Sequence, residues 1–183
     1  MSSRAESIAQ AAMTIPGRVR EKELAELARW AARVPRSGRI VEIGSLYGRS
    51  TVALAQATAG IVIAVDNFCD IHGKPPSLPL LHDNLLTHKL HNVLIWDCDS
   101  HAAGRQWVGM VNMLFVDGGH SYQTVQRDLA AWGASVIGTI AAHDYTPGFP
   151  TVQRAVDDWL AANEEWGLVS VVESLAVLRK RGK

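Results

Sequence analysis

Ile61-Val62-Ile63-Ala64-Val65-Asp66 runs without a polar side chain until its last residue, and its reading decides the architecture. A short, continuous run rich in β-branched residues is the habit of a strand buried on both faces, inside a parallel sheet. Four further runs repeat it, each meeting an acid at or near its end. Ile40-Val41-Glu42-Ile43-Gly44 precedes it; Val93-Leu94-Ile95-Trp96-Asp97, Met113-Leu114-Phe115-Val116-Asp117 and Thr139-Ile140-Ala141-Ala142-His143-Asp144 follow. Ligands of such sheets bind outside the carboxyl ends of the strands. The five acids are therefore expected to face one crevice.

Between the runs the apolar period changes to that of a helix, which predicts an α/β fold with crossover helices. Leu24, Leu27, Ala31 and Val34 stripe an opening helix that Pro35 and Gly38 end. A second helix follows Gly48, and a third has Ser77 as its cap, Leu81, Leu85 and Leu86 facing inward and Asn92 closing the turn. Tyr122, Val125, Leu129 and Trp132 mark another, and Thr151 opens the last, through Val152, Ala155, Val156, Trp159 and Leu160. Trp30, Trp132 and Trp159 fall on these stripes and read as core. Finally, Leu168–Val172 and Leu175–Leu178 are separated by only Glu173-Ser174, which permits a hairpin and forbids a parallel crossover. The expected fold is a Rossmann-like doubly wound sheet of about seven strands, five parallel plus a C-terminal antiparallel β-hairpin, with helices on both faces. The 67–77 stretch is the longest loop and a place for a substrate lid.

At 183 residues the chain has the length of one domain with a substantial core. Lys plus Arg equals Asp plus Glu at 18 each, so no basic excess points to nucleic acid. The cluster Arg179, Lys180, Arg181 and Lys183 reads as a solvated terminus. No apolar run approaches membrane-spanning length, no signal-peptide pattern is visible, and two cysteines, Cys69 and Cys98, make no disulfide framework. A reduced, cytoplasmic setting is expected, with no membrane partner.

After the first strand comes Gly44-Ser45-Leu46-Tyr47-Gly48-Arg49-Ser50-Thr51. Two glycines at a strand-to-helix turn let a ligand approach the backbone and the helix N–H groups. Such glycines also end strands for purely steric reasons. Asp66, 22 residues beyond Gly44, is placed to accept both ribose hydroxyls of a nucleotide. Asp99-Ser100 either hydrogen-bonds an adenine edge or caps a polar loop. A dinucleotide loop prefers G-x-G-x-x-G, whereas this one is G-x-x-x-G with Glu42 before it. A carboxylate there would repel a pyrophosphate and suit a ligand carrying a sulfonium and an amino group. That points to S-adenosylmethionine (SAM).

Phe115-Val116-Asp117-Gly118-Gly119-His120-Ser121-Tyr122-Gln123-Thr124-Val125-Gln126-Arg127-Asp128-Leu129 resembles the D-G-x-H-x-Y-x-x-V-x-x-D-L signature of the methyltransferase family 24 group of class I SAM-dependent methyltransferases. His143-Asp144-Tyr145 and Val152-Gln153-Arg154-Ala155-Val156 are similar to that group's H-D-Y and V-x-x-A-V stretches. The resemblance implies one SAM-dependent methyltransferase domain over 1–183, with an N-terminal helical segment at 1–37 and a catalytic core at 38–183. It implies SAM contacts from Glu42, Gly44, Ser45, Tyr47, Gly48 and Ser50, from Asp66 and Asn67, from Cys98-Asp99-Ser100 and from Asp117. It further implies that Asp117, with Asp144, holds magnesium if this chain is a metal-dependent member. Gly119 stands where many members carry a second acid, which counts against tight metal binding.

Methyl transfer from a sulfonium needs an aligned acceptor, exclusion of water and removal of the acceptor's proton. A hydroxyl of a sugar or natural product is the expected acceptor, since Asp117-Gly118-Gly119-His120 is unlike the N/D-P-P-Y motif of nucleic-acid amino-methyltransferases. His120 is the first choice of general base and His143 the second; the alternative for either is a structural role. Asp117 and Asp144 either share a magnesium ion, or Asp144 accepts backbone N–H bonds and Asp117 orients SAM. His72, His82, His88, His91 and His101 lack zinc-like spacing with cysteines, and His88 with His91 reads as a helix-terminal feature. Tyr145 and Phe149 are pocket candidates, whereas the spacing of Tyr122 favours packing. A second subunit, as a homodimer, is one way to complete acceptor recognition. Two rivals remain: an NAD-linked Rossmann oxidoreductase, and a catalytically inactive SAM-binding protein.

Overall fold

A computed structural model describes residues 2–69 and 76–181. His72, Lys183 and the middle of the proposed 67–77 lid lie outside the described residues. The chain runs α1 (Arg4–Ala12), α2 (Glu21–Ala31), β1 (Arg39–Ile43), α3 (Arg49–Ala57), β2 (Ile61–Asp66), α4 (Ser77–Thr87), β3 (Val93–Asp97) and α5 (Ser100–Gln106). It continues through β4 (Val111–Val116), α6 (Tyr122–Trp132), a short 3₁₀ turn, β5 (Val136–Ala142), α7 (Pro150–Ala162), β6 (Trp166–Val172) and β7 (Leu175–Lys180).

The seven strands form one sheet in the order β3-β2-β1-β4-β5-β7-β6. β1 to β5 are parallel, while β7 is antiparallel to both β5 and β6. The expected fold class is therefore the observed one. The hairpin returns its second strand to the inside, because Leu175–Leu178 is buried and can lie against β5, whereas β6 exposes Leu168, Val169 and Val171. Side chains of the inner strands alternate between two cores. Ile40, Val62 and Phe115 pack with α1 to α4, while Val41, Ile63 and Leu114 pack with α5, α6 and α7. No helix among the described residues is long and apolar enough to cross a membrane.

Some local expectations change. α4 begins at Ser77 itself, with Pro76 at the cap position and no side-chain cap; Leu81 and Leu85 are buried but Leu86 is 73% exposed. Asn92 does tie the turn, donating to the carbonyls of Ala55 and Gly60. Val34 is buried beyond the end of α2, and Trp30 is half-buried beside the Arg33 guanidinium. β5 stops at Ala142, so His143 and Asp144 project past the carboxyl edge.

The chain reverses its order across the sheet at β1, whose neighbours are β2 and β4. That is the switch point where a crevice opens in open α/β sheets. Backbone hydrogen bonds continue the ladder past the strand ends: Gly44 N–H to Val65 C=O, Asp117 N–H to Ile43 C=O, and His143 N–H to Val116 C=O. Gly44, Asp66, Asp117 and His143 are thus held side by side.

Candidate active site

A crevice of about 520 Å³ lies at this edge. Of the residues expected to contact a nucleotide, Gly44, Ser45, Tyr47, Ser50, Asp66, Asn67, Asp99, Ser100 and Asp117 line it. Glu42 and Gly48 do not.

The glycine loop is shaped by three alternate positive φ angles, at Gly44 (86°), Leu46 (48°) and Gly48 (88°). A Cβ on Gly44 would stand 2.3 Å from the Asp117 carbonyl oxygen, so only glycine lets β1 and β4 end this close together. The loop turns consecutive N–H groups toward Asp66, whose Oδ2 accepts from Ser45 N–H (2.9 Å) and Leu46 N–H (3.0 Å) while Oδ1 accepts from Phe68 N–H (2.9 Å). Such a nest of amides is an anion site, and here the protein's own carboxylate fills it. A pyrophosphate would have to displace Asp66. A carboxylate offers about four acceptor positions, and three are used within the protein.

Glu42 differs from expectation more sharply. It is fully buried behind the loop, with Oε2 accepting from Ser45 Oγ (3.0 Å) and from the Thr51 hydroxyl, and Oε1 without a partner. Burial pushes its carboxyl up to about 7, against hydrogen bonding from Ser50, Thr51 and Ser45. It braces the loop and does not touch a ligand in the crevice. Glu42 therefore does not select a cationic ligand by direct contact.

Asp99 is the N-cap of α5, accepting from Ala102 N–H at 2.8 Å. Ser100 donates to Asp128 Oδ1 at 2.6 Å. Both still line the crevice, so the capping role is real and leaves only part of each residue for a ligand. Asp128, buried on α6 and also lining the crevice, has its carboxyl raised by burial against the Ser100 bond. Its sequence signal was a polar residue inside the apolar stripe Val125-Leu129-Trp132. A strap between α1 and α2, Pro16-Gly17-Arg18-Val19, forms another wall. Arg49 holds it, donating to the carbonyls of Ile15 (2.6 Å) and Val19 (2.9 Å). Nothing in the sequence pattern marked the strap.

At the other end of the crevice, His120 lines the wall with its side chain 53% exposed. Its Nδ1 is 3.1 Å from Asp144 Oδ2 and its ring lies 5.2 Å from that of Phe149. A carboxylate on Nδ1 leaves Nε2 for a ligand. Asp144 is aimed by a left-handed backbone, φ 59°, in a non-glycine residue. That conformation costs about 1–3 kcal/mol and persists only where its surroundings enforce it. Tyr145 N–H donates to the Ser174 carbonyl at 2.8 Å and pins the turn. The Tyr145 side chain is half-buried against the core and donates to Asp157 of α7 (2.7 Å), and it does not line the crevice. Tyr122 donates to Asp158 at 2.9 Å on the surface.

His143 is buried at 5% exposure, which removes it as the second-choice base. Its Nε2 is 3.1 Å from Oε2 of Glu23, and its Nδ1 is 3.0 Å from Asp117 Oδ1 and 3.5 Å from Asp144 Oδ1 without alignment to either. Burial pushes the imidazole down, but Asp117, Asp144 and Glu23 outweigh it and carry it far above its ordinary value. Burial likewise raises the Glu23 carboxyl, and bonds from His143, Ser174 and the Arg20 amide hold it down at about 2. Asp117 is raised by burial, against His143; Asp144 is lowered, because His143 outweighs its burial. Glu23, on α2, was not foreseen. Of the five acids expected in the crevice, only Asp66 and Asp117 line it: Glu42 and Asp144 sit behind the wall and Asp97 is exposed to solvent.

Oxygens of Asp117 and Asp144 and a nitrogen of His143 lie within 4.8 Å of one another, close enough to hold an ion. The two carboxylates suit magnesium, but an imidazole nitrogen between them does not, because that ion takes oxygen ligands.

Comparison with solved structures places the fold. The O-methyltransferase NovP superposes with a TM-score of 0.75 at 16% identity, covering 89% of this chain and 81% of NovP. The O-methyltransferase TomG from Streptomyces achromogenes, solved with SAM, gives 0.70 at 17% identity, covering 100% and 92%. A provisionally assigned RNA methyltransferase from Pyrococcus horikoshii gives 0.72 at 13%, covering 99% and 98%. At such identities the likeness establishes the fold alone. Residues 41–145 match the methyltransferase domain of family 24. With more than half of its length inside that match, and with the sheet and crevice described, the chain belongs to this family and is a SAM-dependent methyltransferase.

Proposed function

We propose that the acceptor is a hydroxyl of a small molecule, such as a sugar or natural product, and that His120 is the general base. The observation that carries this reading is the His120 Nδ1 to Asp144 Oδ2 contact at the wall of the crevice. A carboxylate on one imidazole nitrogen fixes the ring and its tautomer and turns the other nitrogen toward the crevice, where it can accept a proton from an alcohol. The donor lies along the wall with its ribose on Asp66, its adenine toward Asp99 and its sulfonium toward Asp117. The methyl group faces the acceptor oxygen in line, and the strap excludes water from one side. Two neighbours named as O-methyltransferases support an oxygen acceptor; the Pyrococcus neighbour shows that the fold alone does not choose it. A divalent cation at Asp117, Asp144 and His143 would supply electrostatic acidification of the hydroxyl.

The test is turnover of a panel of hydroxylated acceptors with and without added divalent cations. His120→Ala should lower turnover ~10²–10⁴-fold while S-adenosylhomocysteine binds as before. Undiminished turnover would take the base role away from His120. No transfer to any acceptor, with the donor still bound, would favour a SAM-binding protein without catalysis.

A further inference from the structure

β3 is an edge of the sheet, with no strand beyond it among the described residues. Its ladder to β2 uses every second residue: Val62 N–H donates to Asn92 C=O, and Cys98 N–H to Asp66 C=O. By that alternation Val93, Ile95 and Asp97 turn their backbone N–H and C=O groups outward. Such a row is a template for another strand, and edges are commonly blunted by a charge, a proline or a bulge. β6, the opposite edge, breaks its register between Leu168 and Ser170. β3 carries none of these devices before Asp97. Its register runs unbroken, and Val93-Leu94-Ile95-Trp96 is wholly apolar.

Apolar surface continues beside the edge. Leu94 is 52% exposed. Trp96, on the same face of the strand, stacks on Trp107 at 5.5 Å, and Trp107 Nε1 donates to the Gly109 carbonyl (3.0 Å). That bond holds the loop whose tip, Val108, is 92% exposed. Val93 and Ile95 face the core that α4 covers, and Leu86 on α4 is exposed as well.

Charge along this segment has a direction. Lys89 and His91 precede the strand, Asp97 and Asp99 close it, and all four are exposed. A second copy running antiparallel about a two-fold axis at Leu94 sets Leu94 against Leu94, Val93 against Ile95 and Asp97 against His91, and brings Asp99 toward Lys89. The same register opposes the outward backbone groups of the two strands. A parallel copy would set acid beside acid.

We propose that β3 is the homodimer interface of this chain, joining two seven-stranded sheets through antiparallel β3–β3 pairing about Leu94. A stable dimer buries about 1,200–2,000 Å² in all, and Leu86, Trp107 and Val108 extend the contact beyond the strand itself.

The test is sedimentation of the full chain over a dilution series, with a dimer expected. Leu94→Lys, which would oppose two cations across the axis, should raise the dimer dissociation constant ~10–100-fold. Asp97→Lys should raise it ~10-fold by like-charge repulsion, and adding His91→Asp to that variant should restore it. Val169→Lys, on the interrupted β6 edge, should leave it unchanged. A monomer at every concentration would overturn the proposal, as would a dimer that survives Leu94→Lys or one broken by Val169→Lys. If Leu94→Lys does not fold, the charge exchange decides: failure of His91→Asp to rescue Asp97→Lys overturns the pairing.

Discussion

At the glycine-loop end, neutral donors meet the two acids: three backbone N–H groups on Asp66, and the hydroxyls of Ser45 and Thr51 on Glu42. At the reacting end, Glu23, Asp117 and Asp144 surround one imidazole. Both ends bury negative charge at the same sheet edge. In the first it stiffens the glycine loop; in the second it concentrates around one ionisable imidazole. The difference shows why an acid at a strand end is not by itself a ligand contact.

The opposite pH signatures of the two ends make the comparison breakable. Glu23 is held near 2 against an ordinary 4.5, so its stabilisation is present above pH 4.5 and lost as pH falls toward 2. His143 is raised above its ordinary 6.5, so its share is complete below that pH and lost only as pH climbs through its raised value. Removing one partner leaves the rest buried and unpaired. Glu23→Ala should therefore cost about 3–5 kcal/mol, read from urea unfolding at pH 7. Asp158→Ala, which breaks the exposed Arg154–Asp158 pair, should cost less than about 1 kcal/mol. Equal costs would erase the distinction.

Glu42 carries the other sign. Its carboxyl is raised from 4.5 to about 7, so its stability contribution is complete below 4.5 and lost as pH rises through 7. At ~1.4 kcal/mol per pH unit, Glu42→Gln should recover about 3 kcal/mol at pH 8 and almost nothing at pH 4. A gain independent of pH would mean the buried carboxyl never ionises. A further effect concerns the cofactor. Asp66→Ala removes the proposed ribose acceptor and loosens the loop amides, and each charge-assisted bond is worth ~1.5–3 kcal/mol. S-adenosylhomocysteine affinity should fall ~10–100-fold; an unchanged dissociation constant would remove Asp66 from the cofactor site.

How far this was legible in the sequence depends on distance along the chain. The parallel strands announce themselves because burial on both faces leaves continuous apolar runs, and a two-residue connection can only make a hairpin. α5 was missed because it is seven residues long and buries only Ala103 and Gly104. That Glu42 lies behind the loop, not along it, follows from strand alternation, but its partners Ser45 and Thr51 could as well have faced a ligand. Glu23 meets His143 across 120 residues, and no local pattern encodes such a pairing. The strap depends likewise on one long-range clamp, Arg49 on the carbonyls of Ile15 and Val19.

The central claim is that one crevice orients a SAM-type nucleoside from Asp66 and Asp99 to Asp117 and His120. A crystal structure with S-adenosylhomocysteine bound tests it most directly. The expected result is ribose against Asp66 and sulfur on the Asp117 side, facing His120; a nucleoside lying outside the crevice, or reversed with adenine against His120, would contradict it.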